Sequence, residues 1–164
     1  MEHNDDVEVS IFSTEGKLVK NFTVKGENLP FEINEKIDEE MFFVRISAKG
    51  LRKDYYFSKY EKTPYKPMRN LKGAELSYNI SDIKEGEDGL FYASATVKNE
   101  SDVAAHFVYP YDETCGYAVL ADDAYFTLLP NEEKTVSLTI GKRQGLFFDA
   151  PENKFDIKFN CLNK

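Results

Sequence analysis

The 164-residue sequence contains no tryptophan, two cysteines, two histidines, six prolines and nine glycines. Each shortage removes a class of protein. Scarce glycine and proline exclude collagen-like and low-complexity chains. Cys115 and Cys161 form no Cys-x-x-Cys pair, so a zinc ribbon or thioredoxin-type redox motif is excluded. His3 sits in the N-terminal tail and His106 in a strand-like run, too isolated to suggest a metal site. No apolar run approaches the roughly 18 to 20 residues that cross a bilayer. There is no glycine-rich phosphate loop, no Ser-His-Asp arrangement and no calcium-loop spacing around Asp5-Asp6 or Asp122-Asp123. The expectation is therefore no metal, no cofactor and no catalytic residue in this chain. Length adds a further exclusion, because a (β/α)8 barrel needs about 200 residues or more.

What is present is charge and aromatic surface. Lys and Arg number 21 and Asp and Glu 29, a formal net charge of −8 that disfavours nucleic acid as a partner. The balance is uneven: residues 1–58 carry net −4, residues 59–72 net +4 and residues 73–164 net −8. The basic stretch holds Lys59, Lys62, Lys66, Arg69 and Lys72 among Tyr60, Pro64, Tyr65 and Pro67. It reads as a solvated, Pro-containing linker, or else as a docking patch for an acidic surface. The opening Met1-Glu2-His3-Asn4-Asp5-Asp6 has no character of a secretory signal or transit peptide. A mature fragment with a new Met would look the same, so the compartment stays open.

Period-2 alternation predicts strands throughout. Val7, Val9 and Ile11 alternate with Glu8 and Ser10; Leu18, Phe22 and Val24 share the next face; Phe42, Val44, Ile46 and Ala48 follow. Asp54 to Phe57 adds a short strand, while 34–40 reads as a polar loop or one helical turn. Beyond the linker, Ala74, Leu76 and Tyr78 alternate, then Phe91, Ala93, Ala95 and Val97. A run opens at Val103 and continues through Ala105 and Phe107. Short strands follow at Tyr117–Leu120 and Tyr125–Leu129, then Val136, Leu138 and Ile140 alternate. Phe155, Ile157, Phe159 and Cys161 close the chain, with Cys161 on the apolar side as a small buried hydrophobe. Glu85-Gly86-Glu87-Asp88-Gly89 and Asn99–Asp102 supply turns. No segment carries a helical pattern of ten residues or more.

The fold class is all-β. About seven strands in residues 73–164 predict an immunoglobulin-like β-sandwich. About five in residues 1–58 predict a smaller or incomplete sandwich before it.

Two segments carry a family likeness: Val97-Lys98-Asn99 through Ala104-Ala105-His106-Phe107, and Asp123-Ala124-Tyr125-Phe126-Thr127-Leu128-Leu129-Pro130-Asn131-Glu132 with Lys134-Thr135-Val136. They resemble the C-terminal immunoglobulin-like domain of β-mannosidases and related exo-glycosidases of glycoside hydrolase family 2. The pattern there is Val-x-Asn, a turn, then small residues before Phe, and later Asp-Asn-Tyr-Phe, Leu-Leu-Pro-Gly-Glu and Lys-Thr-Val. Phe42-Phe43-Val44-Arg45 and Tyr55-Tyr56-Phe57-Ser58 resemble the end of the preceding sandwich. Residues 41–140 are covered, most sharply 97–136. Ala124 departs from the family's Asn and removes a side-chain hydrogen bond. Asn131 departs from its Gly but keeps the turn, since Pro130 fixes the first corner and Asn tolerates a left-handed second corner.

The resemblance implies a non-catalytic accessory region that packs against the catalytic barrel or an upstream sandwich of a parent glycosidase. Tyr125, Phe126, Leu129 and Pro130 are the expected packing and interface element. Tyr125 and Phe126 point to opposite faces, one toward the core and one toward a neighbour. The alternatives are a stand-alone carbohydrate-binding module, with Tyr109, Tyr111 and Tyr117 meeting an oligosaccharide, or a cell-surface adhesion sandwich. Adhesion would use the glycosylation triplets at Asn21, Asn79 and Asn99. Against sugar binding stand the missing tryptophan and the ordinary use of Tyr and Phe as core packing.

Overall fold

The computed structural model describes residues 5–28, 32, 33, 36–143 and 154–164. His3 and residues 34 and 35 of the polar loop lie outside them. The chain divides into two compact units, Met1–Lys72 and Gly73–Lys164.

The first unit is one antiparallel sheet of β1 (Val7–Ser13), β2 (Leu18–Val24), β3 (Met41–Ala48) and β4 (Leu51–Ser58), in the order β2-β1-β3-β4. Four strands stand among the described residues where about five were expected, and they make a single sheet. Lys49 and Gly50, at φ 47° and 76°, form the two-residue loop that closes Ala48 onto Leu51. Paired positive φ angles match the right-handed twist of a hairpin. Val9, Ile11 and Val44 are buried, with Val7, Phe22, Val24, Phe42 and Ile46 packed around them. Leu18 departs from its expected face. The register slips between Ile11 and Phe12, Leu18 falls opposite Phe12, and it stands 55% exposed.

The opposite face of this sheet holds a feature that alternation does not reveal. Arg45 Nε donates to Asp54 Oδ1 at 2.8 Å and Nη2 to Oδ2 at 3.2 Å, with both side chains buried. The guanidinium also lies 5.7 Å from the Phe12 ring centroid, and Phe12 stacks on Phe43 at 5.1 Å. The fork geometry and cation–π contact offset the cost of desolvating the pair. The basic stretch belongs to this unit. Its Lys66–Asn70 segment is a 3-10 turn that buries Met68.

The second unit has two sheets. One contains β5 (Leu76–Ile80), β7 (Phe91–Asn99), β11 (Glu133–Lys142) and β9 (Tyr117–Ala121) in that order, with β6 (Lys84–Glu85) also paired to β7. The other is β10 (Phe126–Leu128), β8 (Ala105–Asp112) and β12 (Ile157–Asn160). Ala95, Val97, Val136, Leu138 and Ile140 meet Val108, Phe126, Leu128, Ile157, Phe159 and Cys161 in one core. This is the sandwich that the alternation predicts. Cys161 is buried, as expected, and burial pushes its thiol pKa up.

Polar side chains tie the sandwich where strands end. Asn99 is fully buried. Its Nδ2 donates to the carbonyls of Val103 at 2.7 Å and of Leu128 and Leu129 at 3.1 Å each, while Oδ1 accepts from Ser101 N at 3.0 Å. The two familiar sequence segments are thus joined at one amide. Burial also makes Asn99 unavailable as a glycosylation acceptor in the folded chain. Asn163 makes a second tie: Nδ2 donates to Ala104 O at 2.9 Å and Oδ1 accepts from His106 N at 3.0 Å.

Asp112 is a third buried tie. Burial pushes its carboxyl pKa up. Hydrogen bonds from Thr114 Oγ1 at 2.5 Å and from the backbone N–H groups of Asp156 and Tyr117 at 3.1 Å outweigh that, holding it below its ordinary value.

Asn99→Ala strips two buried carbonyls, a part-buried third and one N–H of their partner, and should cost about 3 kcal/mol in urea unfolding of the second unit. Asp112 contributes stability that is present above the unfolded carboxyl pKa of about 3.9 and is lost as pH falls through the lower folded value. Urea midpoints measured between pH 7 and pH 2 should fall less steeply for Asp112→Asn than for the parent, from a lower start at pH 7.

Candidate functional site

The outer face of the β10-β8-β12 sheet carries the most unusual chemistry of the second unit. A local break in alternation creates it. Phe107 has φ 52°, and the β10–β8 register shifts between Phe126 opposite Val108 and Leu128 opposite Ala105. This irregularity reverses the phase of β8. The run from Val103 through Phe107 therefore does not continue on one face. Val108, Pro110 and Asp112 turn inward, and Tyr109 and Tyr111 turn outward, half-buried.

β12 supplies the facing row. Asn160 pairs with Tyr109 and Lys158 with Tyr111. Tyr125 arrives from the segment before β10. Its ring lies 5.5 Å from Tyr109 at 30°, and Tyr109 lies 6.2 Å from Tyr111 at 46°. Tyr125 is 65% exposed and has φ 60°, a left-handed conformation uncommon for a bulky residue. Its N–H donates to Val108 O at 2.8 Å, which fixes the backbone there.

The polar groups of this face are unevenly satisfied. Asn160 Nδ2 donates to Tyr109 Oη at 3.3 Å, but the buried Asn160 Oδ1 receives no hydrogen bond. The Tyr111 hydroxyl pKa is raised, first by its hydrogen bond to Glu113 and then by burial. Lys158 lies 3.6 Å from Glu113 and 3.5 Å from Asp156.

The structure separates the three tyrosines proposed as sugar contacts. Tyr109 and Tyr111 share the outer face, but Tyr117 does not. It is only 2% exposed and packs in the core at 4.7 Å from Phe155 and 6.3 Å from Phe91. Tyr117 begins β9 with its side chain directed between the sheets, so it cannot meet a ligand at the surface. Tyr125 takes the third place instead. Asn160 and Lys158 went unremarked in the sequence, although their alternation with buried Ile157, Phe159 and Cys161 marks them as outward-facing.

The four residues of the expected packing element take different positions. Phe126 is buried under the Lys134 ammonium, 4.9 Å from its ring centroid, and Lys134 pairs with Asp123. Leu129 and Pro130 are half-buried. Glu132 N donates to Leu129 O at 3.0 Å, closing the turn across Pro130 and Asn131, whose φ is 60°. Glu132 Oε2 accepts from Leu129 N at 2.7 Å, sealing it from the other side. Asn131 thus occupies the left-handed corner for which the sequence suits it. No group of three or more His, Cys, Asp or Glu side chains suited to a metal ion occurs among the described residues. Nor is any helix among them long and apolar enough to cross a membrane.

The Ig-fold domain model Ig_mannosidase matches residues 74–158, more than half of the chain. The chain belongs to this family. The likeness to the immunoglobulin-like domain of family 2 glycosidases agrees with solved structures. The exo-chitosanase CsxA of Amycolatopsis orientalis is 14% identical, with a TM-score of 0.60. A complex of the same enzyme with PNP-β-D-glucosamine gives 0.61 at the same identity. Each match covers 82% of this chain and 20% of the enzyme. The Ig_mannosidase chain thus spans about a fifth of the length of that relative. No curated protein sequence matches it.

Phe126 reports on the Ig_mannosidase core directly. Phe126→Ala should lower the stability of the second unit by about 3 kcal/mol in urea unfolding. A loss below about 0.5 kcal/mol is what an exposed side chain would give.

Proposed function

We propose that this chain is a non-catalytic accessory region of a family 2 glycosidase, packing against the catalytic barrel or an upstream sandwich of the same parent. The observation that carries the reading is the extent of the structural match. It covers 82% of this chain, more than the second unit alone supplies, and 20% of an exo-chitosanase. Residues 1–58 are then part of the preceding sandwich, 59–72 the connection and 73–164 the terminal domain. Hydrolysis of a β-linked sugar with retention needs two carboxylates about 5 to 5.5 Å apart at a shaped site. That chemistry belongs to the barrel in this reading, so no carboxylate here is assigned a role.

The substrate of the parent is an exposed β-linked sugar. The family name suggests a mannoside, and the structural relative acts on chitosan and is seen with a β-glucosaminide. The reading of a stand-alone adhesion sandwich has no comparable support.

Two measurements test this. An antibody raised against the chain should detect, in lysates of its source, a protein several times heavier than 18.9 kDa. A band at the mass of the chain itself overturns the accessory role. The isolated chain should release no p-nitrophenol from the β-mannoside or β-glucosaminide, and turnover would show that catalysis resides in it.

A further inference from the structure

We propose that the outer edge of β4 is a self-association surface, on which a second copy of this chain pairs antiparallel and joins two four-stranded sheets into one. The inference concerns the first unit and stands apart from the accessory-region reading. β4 ends the strand order β2-β1-β3-β4, with no strand beyond it among the described residues. It runs eight residues, holds no proline and pairs with β3 from Leu51 to Ser58 without a register shift. The opposite edge differs, because β2 carries the slip between Ile11 and Phe12. Proline, bulges and short length are usual means by which an edge strand avoids a new neighbour, and β4 uses none of them. It carries charge instead, at Arg52, Lys53 and Asp54, which any pairing strand has to accommodate.

The backbone fixes which positions can pair. Lys59 N donates to Glu40 O at 2.9 Å, which continues the β3–β4 ladder one step past Met41 and Ser58. Bonded and non-bonded positions alternate along an antiparallel pair. Leu51, Lys53, Tyr55 and Phe57 therefore bond toward β3, and Arg52, Asp54, Tyr56 and Ser58 direct their N–H and C=O groups outward. A second β4 has to set outward positions against outward positions. Two registers about a two-fold axis use most of the strand. One is centred on Asp54 and sets two buried carboxylates opposite each other. The other is centred on Tyr55, bonds Arg52 to Ser58 and Asp54 to Tyr56 of the copy, and sets no like charges opposite.

In the Tyr55 register the close, non-bonded pairs lie on the face that carries Val44 and Ile46. Tyr55 meets Tyr55 of the copy, and Lys53 meets Phe57. Tyr55 is 51% and Phe57 47% exposed, so both rings have area to cover. Phe57 stacks on Phe42 at 5.3 Å, which holds its ring in place before any copy arrives. Cross-strand aromatic pairs and an ammonium group over a ring are both favourable. Lys53, the charge that deters an unrelated strand, thus lands on a ring that the copy itself supplies. β4 carries its own complement, and an isologous pairing of this kind closes at two copies.

The test is sedimentation of the intact chain at about 0.15 M salt, which screens the repulsion between net-negative copies. The mass should double from 18.9 kDa as concentration rises from micromolar toward millimolar. Tyr55→Lys and Tyr55→Glu each set like charges across the axis and should weaken the dimer at least tenfold. Tyr55 is exposed, so both variants should keep the far-UV spectrum of the parent monomer. Mixing the two in equal amounts should restore a dimer, now of one Lys and one Glu copy, which no role of Tyr55 within a single fold would produce. Leu120→Lys, at an exposed position of the second unit, should leave association unchanged. A chain that stays monomeric to millimolar concentration overturns the proposal, as does a dimer indifferent to both Tyr55 variants. A dimer lost in both variants and not restored by mixing overturns it equally, because Tyr55 then does not face itself. None of these outcomes depends on the immunoblot: the chain can be an accessory region and stay monomeric, or dimerise and stand alone.

Discussion

One buried amide ties the second unit together at a corner where three stretches of backbone stop pairing. Asn99 ends β7, and its three donated and one accepted hydrogen bonds reach the Val103 turn and the end of β10. Those carbonyls lie where strands stop pairing, and buried backbone acceptors without donors are expensive. A single amide satisfies three of them at once. The turn that follows can then be built from Pro130 and Asn131, because the strand feeding it is already anchored. The two sheets meet around this point, with Val97 on one side and Leu128 on the other both in the core.

The same logic separates what the sequence made legible from what it did not. Strands β7, β11 and β12 were readable because their apolar residues alternate without interruption. The Pro130–Asn131 turn was readable because the two residues have restricted backbone preferences. The phase of β8 was not. An alternation argument assumes that every residue advances the strand by one step, and the irregularity at Phe107 breaks that count. Tyr109 and Tyr111 enter the sequence reading only as possible sugar contacts, and the reversal at Phe107 is what turns them outward. Tyr117 failed for a related reason: a tyrosine beside turn residues looks exposed unless the opposing Phe155, 38 positions away, is known to cover it.

The first unit shows a different limit. Its β1 and β3 core positions followed from period-2 patterning. The bidentate Arg45–Asp54 pair did not, because Arg and Asp in alternating strands normally signal solvent. Only the register that sets Arg45 opposite Asp54, with Phe12 against the guanidinium, turns two surface-like residues into a buried unit. Long-range pairing of this kind is decided by strand register, which single-strand patterns do not encode.

The burial of Asn99 has a consequence for where this chain can be made. Asn99-Glu100-Ser101 is an acceptor triplet while the chain is unfolded, and a closed, fully satisfied amide once it is folded. In a secretory compartment that attaches glycans to nascent chains, oligosaccharide transfer and strand closure would compete for the same nitrogen. A glycan added first would replace one of that nitrogen's two hydrogens with a bulky sugar, removing a donor that the three carbonyls share and obstructing closure of the sandwich. The yield of native protein from such a host would then depend on which reaction is faster, whereas a host lacking that transferase would impose no contest.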